Sequence, residues 1–219
     1  MIMAVAAQAA LIQVDFGATG GANGTTTEGG TTWNGVEPGT SGSNLPAGGS
    51  FAATDLLDST NAGTIVDLTL DWSNQSGLDF SRAWDLNLGD RDGDYLGVKG
   101  DNAGVFNTAT FSSLTIGALY DVTVWTQAPT DFRANGGTVA VVAGSSNSTV
   151  VNAAVSYTFT DVEADASGEI AIDWGHITSD RGANVWATTT AMSIAAVPEP
   201  SSAALLGLGG VALILRRRN

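Results

Sequence analysis

The chain reads as an all-β protein, an antiparallel two-sheet sandwich of the jelly-roll type, on three observations. Apolar and polar residues alternate with period two in run after run, 28 glycines punctuate those runs, and no stretch between the two ends carries a helical period. Such alternation gives each strand one buried and one wet face, as two sheets stacked over a shared core require. At 219 residues with 43% hydrophobic content, the chain suits one domain with an adequate core better than two small ones. A closed barrel is the competing architecture. Uneven loops, above all the stretch from Gly17 to Asn61, favour a sandwich with a decorated edge.

Taken in order, Leu11 to Phe16 alternates as a first strand, and Gly17 to Thr32 is a loop rich in Gly, Thr and Asn. Ser50 to Asn61 is the one internal region with helical character, and its Ser, Thr and Asp content limits it to a helical turn. From Ile65 to Trp72 the alternation is strict: Val66, Leu68, Leu70 and Trp72 share one face, and Asp67, Thr69 and Asp71 the other. The pattern recurs in Tyr120 to Trp125, Val139 to Val142, Val151 to Phe159, Glu169 to Trp174 and Val185 to Val197, for about nine or ten strands in all.

Cysteine is absent, so neither disulfides nor thiolate metal sites hold the fold. The formal net charge is −14, and without residues 197–219 the chain has 21 acidic against 5 basic residues, a net of −16. A surface of that sign repels phosphate backbones and argues against nucleic acid as a partner. It is compatible with divalent cations and neutral polysaccharide.

The two ends differ in chemistry from the middle. Pro198-Glu199-Pro200 neither continues a strand nor opens a helix interior, so it closes the folded domain. Ser201 to Leu215 is uncharged, and Arg216, Arg217 and Arg218 follow. As a C-terminal hydrophobic helix, Ala203 to Leu215 extends about 20 Å, short of the roughly 30 Å hydrocarbon slab. The two serines, snorkelling arginines and local thinning narrow that gap. A buried core helix is the alternative, and the arginines oppose it: they place the tail end in the cytoplasm and the rest of the chain outside. At the other end, residues 1–9 read as the remnant of a truncated signal peptide, with Ala7-Gln8-Ala9 in the small-x-small form of a cleavage site before Ala10. An Ala-rich lead-in to the first strand is the other reading. The expected organisation is therefore a remnant at 1–9, a β-sandwich domain at 10–196 and a sorting or anchor tail at 197–219.

Pro-Glu-Pro, an apolar segment and an arginine cluster, in that order, resemble the PEP-CTERM sorting signal, which membrane transpeptidase-like exosortases of Gram-negative bacteria read. The resemblance covers about the last tenth of the chain. It implies export, a transient inner-membrane intermediate, cleavage near Pro198-Glu199-Pro200 by an exosortase-type enzyme, and delivery to the cell surface or an exopolysaccharide matrix. It implies nothing about what the domain binds. A second resemblance is to galactose-binding-domain-like jelly rolls. It rests on Val14-Asp15-Phe16-Gly17, Thr32-Trp33-Asn34, the run from Leu114 to Trp125, and Val185-Trp186. That family implies carbohydrate-binding modules and exported glycan-related proteins.

Two constellations can carry binding chemistry. Asp90, Asp92 and Asp94 in a Gly-rich loop, with Asp101 and Asn102 downstream, offer the hard oxygen ligands that Ca²⁺ takes in irregular geometry. No Glu closes a twelve-residue EF-hand loop there, and a solvated acidic hairpin loop is the competing reading. Asp15 and Asp173 are possible additional ligands. The six tryptophans form the second constellation, because an indole face stacks on the apolar face of a sugar ring. Trp72 and Trp174 are in phase with buried residues and belong to the core. Trp125 is out of phase, while Trp33 beside Asn34, Trp84 and Trp186 lie in loops or strand edges, where they reach a glycan. Core packing competes for each of them. Catalysis has little support: His176 is the single histidine, no Gly-x-Ser-x-Gly turn presents a serine, and Trp174-Gly175-His176 reads as a turn. The chain therefore reads as a noncatalytic glycan-binding or structural component. A polysaccharide hydrolase or esterase using a carboxylate pair and an adhesion protein without sugar affinity are the alternatives.

Overall fold

A computed structural model describes residues 10–16, 25–38, 48–73, 79–82, 94–99, 104–144, 153–178 and 186–198. These residues form fifteen strands: β1 (Leu11–Phe16), β2 (Thr25–Glu28), β3 (Thr31–Val36), β4 (Ser50–Ala53), β5 (Asp67–Asp71), β6 (Asp79–Arg82), β7 (Asp94–Lys99), β8 (Val105–Ser112), β9 (Leu119–Thr126), β10 (Pro129–Ala134), β11 (Ala140–Ala143), β12 (Val155–Glu163), β13 (Ile170–His176), β14 (Trp186–Thr189) and β15 (Ala191–Ala196). The first sheet runs β12-β9-β15-β1-β3-β2, the second β11-β10-β13-β8-β5-β4, and a small third sheet β14-β7-β6. Every pairing is antiparallel except β1 with β3. The fold is an all-β jelly-roll sandwich, as the alternation predicts.

Strict alternation translates directly into burial in β5, where Leu68 and Leu70 are fully buried and Asp71 is exposed. The core fills with Ile12, Val14 and Phe16 of β1, Val122 and Val124 of β9, and Met192 and Ile194 of β15. Across from them lie Phe111, Phe132, Ile170, Ile172 and Trp174 of the second sheet. At the β8–β9 connection Gly117 adopts φ 72°, a left-handed conformation that suits glycine, and its N–H donates to the Ala164 carbonyl at 2.9 Å.

The structure corrects several expectations about individual elements. The Gly17 to Thr32 stretch contains β2 and the start of β3, because consecutive threonines stiffen the chain toward extended backbone. Ser50 to Asn61 is not a helical turn: Ser50–Ala53 pairs with β5, and the chain then makes a bridge-and-turn excursion. Val185 to Val197 is not one strand but two, β14 in the small sheet and β15 in the first sheet, parted at Thr190. His176 ends β13 instead of sitting in a turn. β12 begins later than expected and runs on to Glu163 through an irregularity between Phe159 and Val162, where Asp161 takes φ 54°. These short and split elements raise the strand number above the nine or ten expected. Residues 1–9, the signal remnant, and 199–219, including the apolar helix, lie outside the described residues. Among the described residues no helix is long and apolar enough to cross a membrane.

Candidate functional site

The outward face of the first sheet brings together residues distant in sequence. Gln13 lies opposite Ser193, and Asp15 opposite Ala191, which in turn lies opposite Trp125. The parallel β1–β3 register puts Val14 beside Asn34, so Trp33 joins Gln13 on the outward face. Two strands separate β3 from β9, yet the indoles of Trp33 and Trp125 meet edge to face, with centroids 5.8 Å apart and planes at 71°. The small side chains of Ala191 and Ser193 between them leave room for that approach. An outward sheet face is ordinarily wet, but here Gln13, Asp15, Ser193 and Trp33 are all buried, and Trp125 is half-buried. Trp33 is thus a strand residue 4% exposed, not a loop residue, and of this pair Trp125 keeps the ring surface.

Asn34, expected beside it as a sugar contact, points the other way. Its Nδ2 donates to the Gln13 carbonyl at 2.9 Å and the Leu57 carbonyl at 2.8 Å, and its Oδ1 accepts from the Leu57 N–H at 2.8 Å. The carboxamide ties the 54–66 excursion to the first sheet and has no donor left for a ligand.

A second aromatic pair lies on the small sheet. The backbone of Gly97 is approached by both rings: a Cβ there would meet Trp186 Cε3 and Tyr95 Cε2 at 2.9 Å each. Both residues are half-buried. Tyr95 escaped sequence reasoning, although a glycine inside the alternating run Tyr95-Leu96-Gly97-Val98 signals a close approach of this kind.

The inward face becomes polar toward one end of the sandwich. Thr126 Oγ1 lies 3.0 Å from Thr130 Oγ1 and 2.9 Å from Thr188 Oγ1, and the Thr188 N–H donates to Thr130 Oγ1 at 2.9 Å. These hydroxyls pin the β9–β10 turn to β14, which joins all three sheets at that end. On the outward face of the second sheet, Asp173 accepts from Arg133 Nε and from Thr108 Oγ1, each at 2.6 Å, and the Arg133 guanidinium lies 5.1 Å over the Phe106 ring. Asp173 is therefore held in an ion pair. Asp131, fully buried, accepts from the N–H and hydroxyl of Thr178. In the 54–66 excursion, the Thr60 hydroxyl and the Ala62 N–H hold the Asp58 carboxyl below its ordinary range.

The calcium candidates Asp90, Asp92 and Asp101, with Trp84 among the aromatic ones, lie outside the described residues. Asp94 opens β7, in register with Arg82. Among the described residues no group of three or more His, Cys, Asp or Glu side chains is placed to hold a metal ion. Of the processing residues, Val197 donates its N–H to the Leu119 carbonyl at 2.8 Å and Pro198 is exposed; Glu199, Pro200, Arg216, Arg217 and Arg218 lie outside the described residues.

Residues 196–218 match the PEP-CTERM protein-sorting motif, which marks the chain as an exported protein with a C-terminal sorting signal. No curated protein matches the chain. Among solved structures, protein YXIM from Bacillus subtilis is 16% identical, with a TM-score of 0.43 over 86% of this chain and 40% of its own. The chain therefore spans less than half of that protein. The CBM36-1 domain of a multidomain xylanase from the hindgut metagenome of Trinervitermes trinervoides is 14% identical, with a TM-score of 0.33 over 52% of this chain and 83% of its own. TmCBM61, solved in complex with β-1,4-galactotriose, is 14% identical, with a TM-score of 0.32 over 56% of this chain and 82% of its own.

Proposed function

We propose that residues 10–196 form the exported unit of a noncatalytic glycan-binding protein, delivered to the surface or exopolysaccharide matrix of a Gram-negative cell. An exosortase-type enzyme cuts near Pro198-Glu199-Pro200 while Arg216, Arg217 and Arg218 hold the tail in the inner membrane. The observation that carries the binding reading is the Trp33–Trp125 pair on the outward face of the first sheet. Trp33 braces the edge of Trp125, and the Trp125 ring stacks on a sugar. Trp186 and Tyr95 across Gly97 supply a second stacking surface. The large net negative charge favours neutral over acidic polysaccharide.

Two measurements test this reading. For sorting, intact mass and cell fraction are compared between the native chain and a variant with Pro198, Glu199 and Pro200 all changed to Ala. The native chain should leave the inner membrane without its tail, and the variant should stay full-length and membrane-bound. Two uncut, membrane-bound chains would make the tail an ordinary anchor. For binding, electrophoretic retardation in gels carrying neutral polysaccharides should fall at least tenfold in affinity for Trp125→Ala, about 1.4 kcal/mol. Undiminished retardation of that variant rules out the Trp125 surface.

A further inference from the structure

The polar end of the core contains side chains that the fold itself does not satisfy. Asn107 of β8 is 1% exposed and Trp174 of β13 is fully buried, and the two are directly opposite in the ladder. They share the inward face with Ala109 and Ile172 of the next row. Among the described residues, neither Asn107 Oδ1, Asn107 Nδ2 nor Trp174 Nε1 has a hydrogen-bond partner. Thr190, also fully buried, has an Oγ1 with no partner among the described residues. It precedes β15 and shares by alternation the inward face of Met192, opposite Thr126 of the hydroxyl cluster. Buried polar groups are nearly always paired, because leaving one unmet costs more than making its bond gains. These unmet groups sit on three residues at the end where the threonines already interlock, and no two of them satisfy each other.

We propose that this end of the core is an internal binding site for hydroxyl groups, with Asn107 as its anchor. An O–H is the chemistry that fits: it donates to Asn107 Oδ1 and accepts from Asn107 Nδ2 and Trp174 Nε1. None of the three side chains carries a charge, so a neutral ligand needs no counter-charge from them. The hydroxyl comes from internal water or from one neutral sugar unit. The site stands whether or not the outward aromatic pairs hold a glycan.

The test is a high-resolution crystal structure of the full-length chain, grown with and without a neutral monosaccharide, together with thermal melts of Asn107→Leu. An oxygen at hydrogen-bond distance from the Asn107 carboxamide is expected, and the melting temperature of Asn107→Leu should be unchanged or lower. A sugar ring at that position, with a melting shift on sugar addition in the wild type that Asn107→Leu lacks, supports the site and names its source. An ordered oxygen unaffected by sugar supports it with water as the source. A dry site, or a melting temperature raised by more than about 3 °C in Asn107→Leu, overturns it, because removing an unmet amide then relieves a penalty and breaks no contact.

Discussion

Asn34 offers the sharpest separation between a fold-bearing and a ligand-bearing role. Replacing it with Ala removes two bonds to buried or half-buried carbonyls and one from a backbone N–H, at 2.8 to 2.9 Å. At about 1 kcal/mol net per bond, with an added penalty for backbone groups that water cannot reach, the loss is roughly 3–5 kcal/mol. That is a large share of the roughly 5–15 kcal/mol that holds a domain together. For a chain of this size each kcal/mol moves the melting temperature by about 2–4 °C, so a drop of roughly 6–20 °C is expected. Asn34→Asp retains the acceptor, loses both donors and sets a buried carboxylate oxygen against the two carbonyls, so it should be at least as destabilising as Asn34→Ala. Thermal unfolding followed by tryptophan fluorescence reads this directly, alongside polysaccharide retardation of the folded fraction. A shift under about 3 °C in Asn34→Ala, with lost retardation, would overturn the structural assignment and return Asn34 to the sugar site.

Other outcomes follow from the same geometry. Gly168→Ala forces a Cβ to 2.6 Å from the Leu114 carbonyl oxygen at φ 73°, so its urea midpoint should fall by an amount equivalent to at least about 2 kcal/mol. Arg133→Ala strips the ion pair from Asp173, whose side chain is 10% exposed, and a loss of about 2–3 kcal/mol by chemical denaturation is expected. Asp58→Asn should lower the melting temperature at pH 7 by roughly 1–3 °C. Because the folded state depresses the Asp58 carboxyl, that advantage is fully present above the ordinary carboxylate range and is lost as the pH falls from there through the lower folded value, so the two melting curves should converge in acid. If Asp90, Asp92, Asp94 and Asp101 hold Ca²⁺, adding millimolar calcium should raise the melting temperature of the native chain and not of Asp90→Asn/Asp92→Asn; equal shifts in both would dismiss that loop.

How much could be read in the sequence depended on whether burial was one-sided. Ile65 to Trp72 was legible because one face of β5 meets the core and the other meets water. β1 defeated the same reading in part: its outward Gln13 and Asp15 are buried, and polarity alone gives no hint of that. The threonines of β2 and β3 were overlooked because neighbouring glycines dominated the composition around them. The break at Thr190 has no local mark at all, since both halves are extended and only the choice of sheet changes. At the candidate site, the out-of-phase position of Trp125 was visible in its own strand. Its meeting with Trp33 was not, because it depends on the strand order β9-β15-β1-β3, which arises from pairing across the whole chain.

The position of β15 bears on how the protein would resist being pulled. This strand leads straight into the sorting tail and sits inside the first sheet, laddered to β1 on one side from Ala191 to Ala195 and to β9 on the other from Ala191 to Ala196. Ladder bonds run across the strand direction. Tension transmitted through the tail therefore loads both rows in shear, so that they must yield together instead of opening one after another from an end. A chain fastened at this point to the envelope while its outer face gripped a polymer would carry force through a strand laddered on both sides.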